Sequence, residues 1–167
     1  RKIGAPLQPE FGIGAVAPDV TVSDPDALAE LGLTMDEFER AAEQARADMA
    51  ARHRRYNGDD ALPMLRGRTA ILVDDGLATG VTARAALRAA RRLEPAHLVL
   101  AVPVGAQASV EALQDAADAI VCLHTPPHFE AVGTWYEHFT STTDEDVIEL
   151  LEEANRTVTE EDLREPG

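Results

Sequence analysis

Lysine is almost missing from this chain of 167 residues: Lys2 is the only one, and arginine supplies the remaining basic residues. Thirty acids stand against fifteen bases, for a formal net charge of −15. Such a surface repels phosphate, which excludes general binding to nucleic acid or to an anionic membrane. Cysteine is equally scarce. Cys122 stands alone, so no internal disulfide can form, and a reducing cytoplasm is the expected setting. Its apolar neighbours make it a small buried hydrophobe in expectation. Aromatic residues make up 4% of the chain, leaving Ala, Val and Leu to build the core. No run is long and apolar enough to span a bilayer, and no secretory leader is visible. The chain opens at Arg1 inside what reads as a structured segment, so a trimmed fragment is expected.

What remains is ordinary for a globular protein, with 45% hydrophobic and 27% charged residues. Length favours one domain over residues 1–155, followed by an acidic tail, 156–167, expected to be disordered. Residues 1–33 are rich in Gly and Pro, with short β-like runs at 11–17 and 20–22, and read as a loop and hairpin outside a main sheet. Thr34-Met35-Asp36-Glu37 is a capping box that starts a helix running to about Arg55, with Met35, Phe38, Ala42, Ala45 and Met49 inward and Asn57-Gly58 as its stop. Its charged outer face offers a surface for a homodimer. From Thr69 onward, strands at 69–73, 97–104 and 119–123 alternate with helices at 82–93 and 109–117. The inward face of the first of these helices is read as Ala83, Ala86, Leu87, Ala90 and Leu93. Short apolar strands separated by amphipathic helices predict an α/β fold, a parallel sheet covered on both faces. A last helix, about 144–154, starts behind Thr143.

Chemistry concentrates where the first of these strands ends. Ligands of open α/β sheets sit beyond the carboxyl ends of the strands. There stand Asp74 and Asp75, then Gly76, Leu77, Ala78, Thr79, Gly80, Val81 and Thr82. The two glycines permit a tight turn and close approach to a ligand. The amides from Ala78 to Thr82, at a helix start, form a nest for a monoester phosphate, with Thr79 and Thr82 adding hydroxyls. Asp74 and Asp75 are acceptors suited to the hydroxyls of a sugar carrying that phosphate, and to a Mg²⁺ held directly or through water.

The run from Ala70 to Thr82 resembles the phosphoribosyl-pyrophosphate (PRPP) motif of type I phosphoribosyltransferases: four apolar residues, two acids, and a loop ending in T-G-x-T. Gly76 departs from it, standing where the family usually has a larger apolar residue. The resemblance extends to Arg1-Lys2-Ile3-Gly4-Ala5-Pro6, Pro9-Glu10-Phe11, Gly14-Ala15-Val16, Ala101-Val102-Pro103, Ala131-Val132-Gly133, Trp135-Tyr136 and Phe139, and looks like a subfamily with no assigned acceptor. It implies a Rossmann-like parallel sheet flanked by helices under a small hood formed by residues 4–33. It further implies transfer of the phosphoribosyl group from PRPP, with Mg²⁺, to a nitrogenous, nucleobase-like small molecule, releasing pyrophosphate. By the same likeness Asp74 and Asp75 are the catalytic pair, Arg1 and Lys2 face pyrophosphate, and Trp135 and Tyr136 border the acceptor. Ala78 replaces the Asp that serves 6-oxopurine enzymes as a base, and Pro127 replaces a metal-binding Asp of purine enzymes, so the acceptor stays open. The upstream pyrophosphate loop of the family is missing from this sequence. A non-catalytic PRPP-sensing module is therefore the alternative.

Blander readings compete at each position. Asp74-Asp75 as a mere solvated strand end is disfavoured by the phosphate loop that follows. A response-regulator receiver needs a later lysine, a Walker A loop needs G-K-[ST], and a dehalogenase needs acids two apart; none is present. Trp135 and Tyr136 serve packing more often than base stacking. His124 and His128 lack a partner set for zinc. No basic face is apparent, which disfavours an RNA-binding regulator.

Overall fold

The computed structural model describes residues 1–58 and 62–162. Its amino-terminal part is a three-stranded antiparallel sheet of β1 (Lys2–Ala5), β2 (Gln8–Ala17) and β3 (Val20–Ser23), in that order. The expected hairpin is thus one strand larger. Gly4 and Gly14 are needed here, because a Cβ at either would lie 2.3–2.4 Å from the carbonyl oxygen of Pro9 or Val22. Helix α1 (Pro25–Leu31) was not expected. Its local signals are nonetheless complete: Asp24 caps it through the Ala27 amide, Pro25 opens it, and Gly32 closes it at φ +63°.

Helix α2 (Met35–Asn57) begins with the predicted reciprocal Thr34–Glu37 box and ends at Gly58 in the left-handed region. Phe38, Ala42 and Ala45 are buried against Ile3, Ile13 and Val16. Met35, expected inward, is 55% exposed, since the first turn projects past the edge of that small sheet.

The second sheet orders β4 (Thr69–Val73), β5 (His97–Val104) and β6 (Ala119–His124), all parallel. Helix α3 (Val81–Arg92) connects the first pair and the short α4 (Gln107–Ala112) the second, ending earlier than the predicted 117. Only one face of this sheet is covered. Leu98, Leu100 and Val102 pack with Ala83, Leu87 and Leu113, whereas Ile71, Val73, Val121 and Leu123 on the other face are exposed. The reason is topological. Right-handed crossovers that advance in one direction along a sheet place every connecting helix on the same side. The expectation of two covered faces therefore fails for the described residues. Cys122 is half-buried rather than buried, and its thiol donates to the His124 carbonyl (3.3 Å).

Helix α3 has covers on two sides instead. Ala83 and Leu87 face the parallel sheet, while Ala85 and Ala89 are buried against Ala15, Ala17, Val20 and Val22 of the antiparallel sheet. Ala86 and Ala90, predicted inward, are only half-buried, because the periodicity of one buried face cannot describe a helix with two. A single turn of 3₁₀ helix (Val132–Trp135) follows β6, and α5 (Asp144–Asp162) closes the described chain. Thr143 and Asp146 cap α5 reciprocally. The helix thus continues beyond the expected end at 154, through residues 156–162 of the segment expected to be disordered; 163–167 lie outside the described residues. No helix among the described residues is long and apolar enough to cross a membrane.

Candidate functional site

Strand β4 delivers Asp74 and Asp75 to the carboxyl end of the parallel sheet. The Asp74 amide donates to the Ala101 carbonyl of β5 (3.3 Å), so the acid pair begins where the ladder ends. Asp74 Oδ1 accepts from the Asp75 amide (3.1 Å). Partial burial holds the Asp74 carboxyl above its ordinary pKa; the Asp75 amide bond opposes this and the Asp75 charge adds to it. Asp75 is exposed. A half-buried carboxyl thus stands beside an exposed one at the same strand end.

The loop that follows is pinned at its middle. Leu77 is 1% exposed; its amide donates to the Val104 carbonyl (3.0 Å) and its carbonyl accepts from the Ala106 amide (2.9 Å). One apolar side chain thus anchors an otherwise open loop to the end of β5. The Ser109 hydroxyl donates to the Ala78 carbonyl, holding the next residue from α4. Gly80 then takes φ +73° and hands the chain to α3. That conformation favours glycine, and Leu113 lies 3.1 Å from where a Cβ would stand.

These constraints leave donors without acceptors. Among the described residues, the amides of Ala78, Thr79 and Gly80 meet no protein acceptor, and the Val81 amide reaches only Thr79 Oγ1, at 3.5 Å. The first-turn amides of α3, Thr82 among them, add the orphan donors of any helix start. The loop from Ala78 to Thr82 is therefore a bent, donor-rich cup that follows two carboxylates in the chain.

Gly76, the departure from the expected motif, has a local cause. A Cβ there would lie 2.8 Å from a methyl of Val132 and 3.0 Å from the Val104 carbonyl. The turn at 132–135 fills the space a larger residue would take. Tyr136 completes the contact, its hydroxyl donating to the Asp75 carbonyl (2.7 Å). Tyr136 also stacks at a tilt on Phe139 (5.3 Å between centroids), and Trp135 meets His124 edge-on (5.1 Å). The structure thus brings Tyr136 to the acid pair and keeps Trp135, 43% exposed, at the end of β6. Ser109 and Leu113 were not singled out from sequence, and Val132 only as part of the resembling segment Ala131-Val132-Gly133, without its contact to Gly76.

The Arg1 guanidinium stands apart from the cup, pairing with Asp48 of α2 (3.0 Å). The stem of Lys2 runs over Gly12. Both line a cleft of about 1150 Å³ between β1 and α2, with Arg40, Asp48, Arg52 and His53. Among the described residues no three His, Cys, Asp or Glu side chains converge as a metal cage.

Comparison with known proteins gives the family. The model of the phosphoribosyl transferase domain family matches residues 26–137. Two Mycobacterium tuberculosis proteins, each bearing the name "Putative phosphoribosyl transferase", are 43% identical over an alignment of 164 residues, and the match covers 96% of this chain. The chain spans 36% of the length of those relatives. The crystal structure of TT1426 from Thermus thermophilus superposes with a TM-score of 0.67 at 40% identity, covering 92% of this chain and 73% of that one. On the match of its family model and on its fold, the chain belongs to the type I phosphoribosyltransferase family.

Proposed function

We propose that the domain binds PRPP and transfers its phosphoribosyl group to a nitrogenous, nucleobase-like acceptor. The supporting observation is the cup itself: amides from Ala78 to Gly80 with no protein acceptor, at the start of α3 and next to Asp74 and Asp75. In this reading the amides and the Thr79 and Thr82 hydroxyls hold the 5′-phosphate. Asp74 and Asp75 accept hydrogen bonds from the ribose hydroxyls and orient C1. The C1–O bond to pyrophosphate breaks as a C1–N bond forms with inversion, and the acceptor's proton leaves to pyrophosphate or water. Positive charge developing on the ribose is stabilised by the carboxylates, so positioning and electrostatics carry the rate. Tyr136, bonded to the Asp75 carbonyl, ties the acceptor side of the site to the donor side.

The donor set fits Mg²⁺. That ion is commonly held by one or two carboxylates plus substrate oxygens rather than by a protein cage. Asp74 and Asp75 would hold it, directly or through water, and the ion would neutralise charge on the leaving pyrophosphate. Arg1 and Lys2 would approach pyrophosphate only if Arg1 exchanges its bond to Asp48 for the ligand.

Calorimetric titration with PRPP, with and without Mg²⁺, tests the reading. Binding should be lost in the double variant Asp74→Asn/Asp75→Asn while its circular dichroism stays native. Unchanged affinity in that variant removes the assignment. A panel of nucleobases scored for pyrophosphate release then separates turnover from the alternative, a module that binds PRPP without consuming it.

A further inference from the structure

Contrary to the expectation of no basic face, α3 gathers arginines with no acid among them. That helix carries Arg84, Arg88, Arg91 and Arg92 and no acidic residue, at spacings that place them along one side. Two clefts flank it. One, of about 440 Å³, lies between β3 and the start of α3 and is lined by Thr21, Ser23, Thr79, Arg84 and Arg88. The other, of about 660 Å³, runs on from it and is lined by Thr21 with all four arginines. Sharing Thr21, Arg84 and Arg88, they form one trough.

The arginines of this trough are unequally committed. Arg91 makes a two-pronged pair with Asp118 (3.0 Å each), and Arg92 donates to the Asp19 carbonyl. Arg84 uses one nitrogen on the Ala112 carbonyl (3.1 Å) and meets no carboxylate. Arg88 has no hydrogen-bond or ion-pair partner among the described residues. Like charges one helical turn apart repel, and neither Arg84 nor Arg88 has a direct ion pair among the described residues. Three carboxylates also line the trough without pairing with these two arginines: Asp24, the cap of α1 (3.1 Å to the Ala27 amide), in the near cleft, and Asp19 and Asp115 in the far one. Arg46 brings a further guanidinium to the rim, donating to the Thr21 hydroxyl (2.9 Å) while also pairing with Glu39 (3.5 Å).

We infer that this trough is an anion site for a diphosphate, free or carried by a nucleoside. Planar guanidinium forks match phosphate oxygens in pairs, and two of them one turn apart address two linked phosphates. The Thr21 and Ser23 hydroxyls supply further polar contacts, and the volume lies within the range of small-molecule sites. The inference goes beyond phosphoribosyl transfer. Thr79 and Val81 nevertheless line both the trough and the phosphate loop, so occupancy of the trough bears on the loop.

Calorimetry of the full chain with inorganic pyrophosphate and, separately, with ADP, both without Mg²⁺, tests the inference. Both ligands should bind. Arg84→Gln/Arg88→Gln should weaken each by roughly tenfold or more, since charge-assisted forks are lost. Asp74→Asn/Asp75→Asn should leave each unchanged, so failure here is distinguishable from failure of the PRPP reading. ADP binding more tightly than pyrophosphate supports a nucleotide; equal affinities support the free diphosphate. Absence of binding, indifference to the arginine substitutions, equal loss in the acid-pair variant, or displacement by an oligonucleotide at lower concentration would each overturn it. Should the double arginine variant misfold, Arg88→Glu, at an exposed position without a partner, carries the same test.

Discussion

At the scale of single residues, the acid pair trades stability for function. Burial raises the Asp74 pKa above its ordinary value, so over the window between the two the folded state holds more protons than the unfolded state. Stability from this group therefore falls as pH rises through that window, and at neutral pH the charged carboxyl is a net cost. Asp74→Asn should raise the melting temperature at pH 7 and leave it nearly unchanged in acid, while weakening PRPP binding at both. The same shift predicts that PRPP affinity of the native protein declines on acidification at a higher pH than an ordinary aspartate would give. Thermal scans and titrations across pH check both, and a melting temperature lowered at pH 7 would contradict the burial argument.

At the scale of elements, the loop and the 132–136 segment form one unit joined by the Gly76–Val132 contact and the Tyr136–Asp75 bond. Gly76→Leu should cost on the order of 1–3 kcal/mol through overpacking. It should also displace the 132–136 turn, so that use of the acceptor suffers more than binding of PRPP; Gly76→Leu with Val132→Ala should recover part of both. Kinetics with PRPP and acceptor varied separately check the split. Elements themselves were legible wherever capping chemistry was explicit, as at Thr34–Glu37, Gly58 and Thr143. Strand β4 and the bend after it were legible because an apolar run, two acids and a glycine-containing turn are all local in sequence. Helix α1 had equally explicit caps in Asp24, Pro25 and Gly32, but it lay inside a Gly- and Pro-rich region read as loop. The contacts of Val132, Ser109 and Leu113 were not legible, because each joins residues far apart in the chain. The two-sided burial of α3 and the open face of β4 and β6 depend on how layers stack, which periodicity within one helix or strand does not encode.

At the scale of the whole molecule, two helices far apart in the chain meet through a polar latch. The Tyr56 hydroxyl donates to Asp144 Oδ1 (2.5 Å), and Arg52 (3.3 Å) and Arg55 (2.8 Å) pair with the same carboxylate, joining α2 to the start of α5. Arg55 also pairs with Glu145. The tyrosine bond, ahead of the arginine charges, holds the Asp144 pKa below its ordinary value against partial burial. A depressed carboxylate pKa contributes stability in full above the unfolded value, and that contribution is lost as pH falls through the folded one. Acidification should therefore release α5 before the cores of the two sheets, which rest on apolar contacts, begin to melt. Tyr56→Phe removes the strongest cause of the shift, so release should begin at a higher pH than in the native protein. Added salt should weaken the arginine contribution in both proteins but leave their difference in place, because screening acts on charge pairs more than on a short hydrogen bond. Helix content followed by circular dichroism through an acid titration, at low and high salt, measures this. Coincident curves for Tyr56→Phe and the native protein would show that α5 is held by its apolar face and not by the latch.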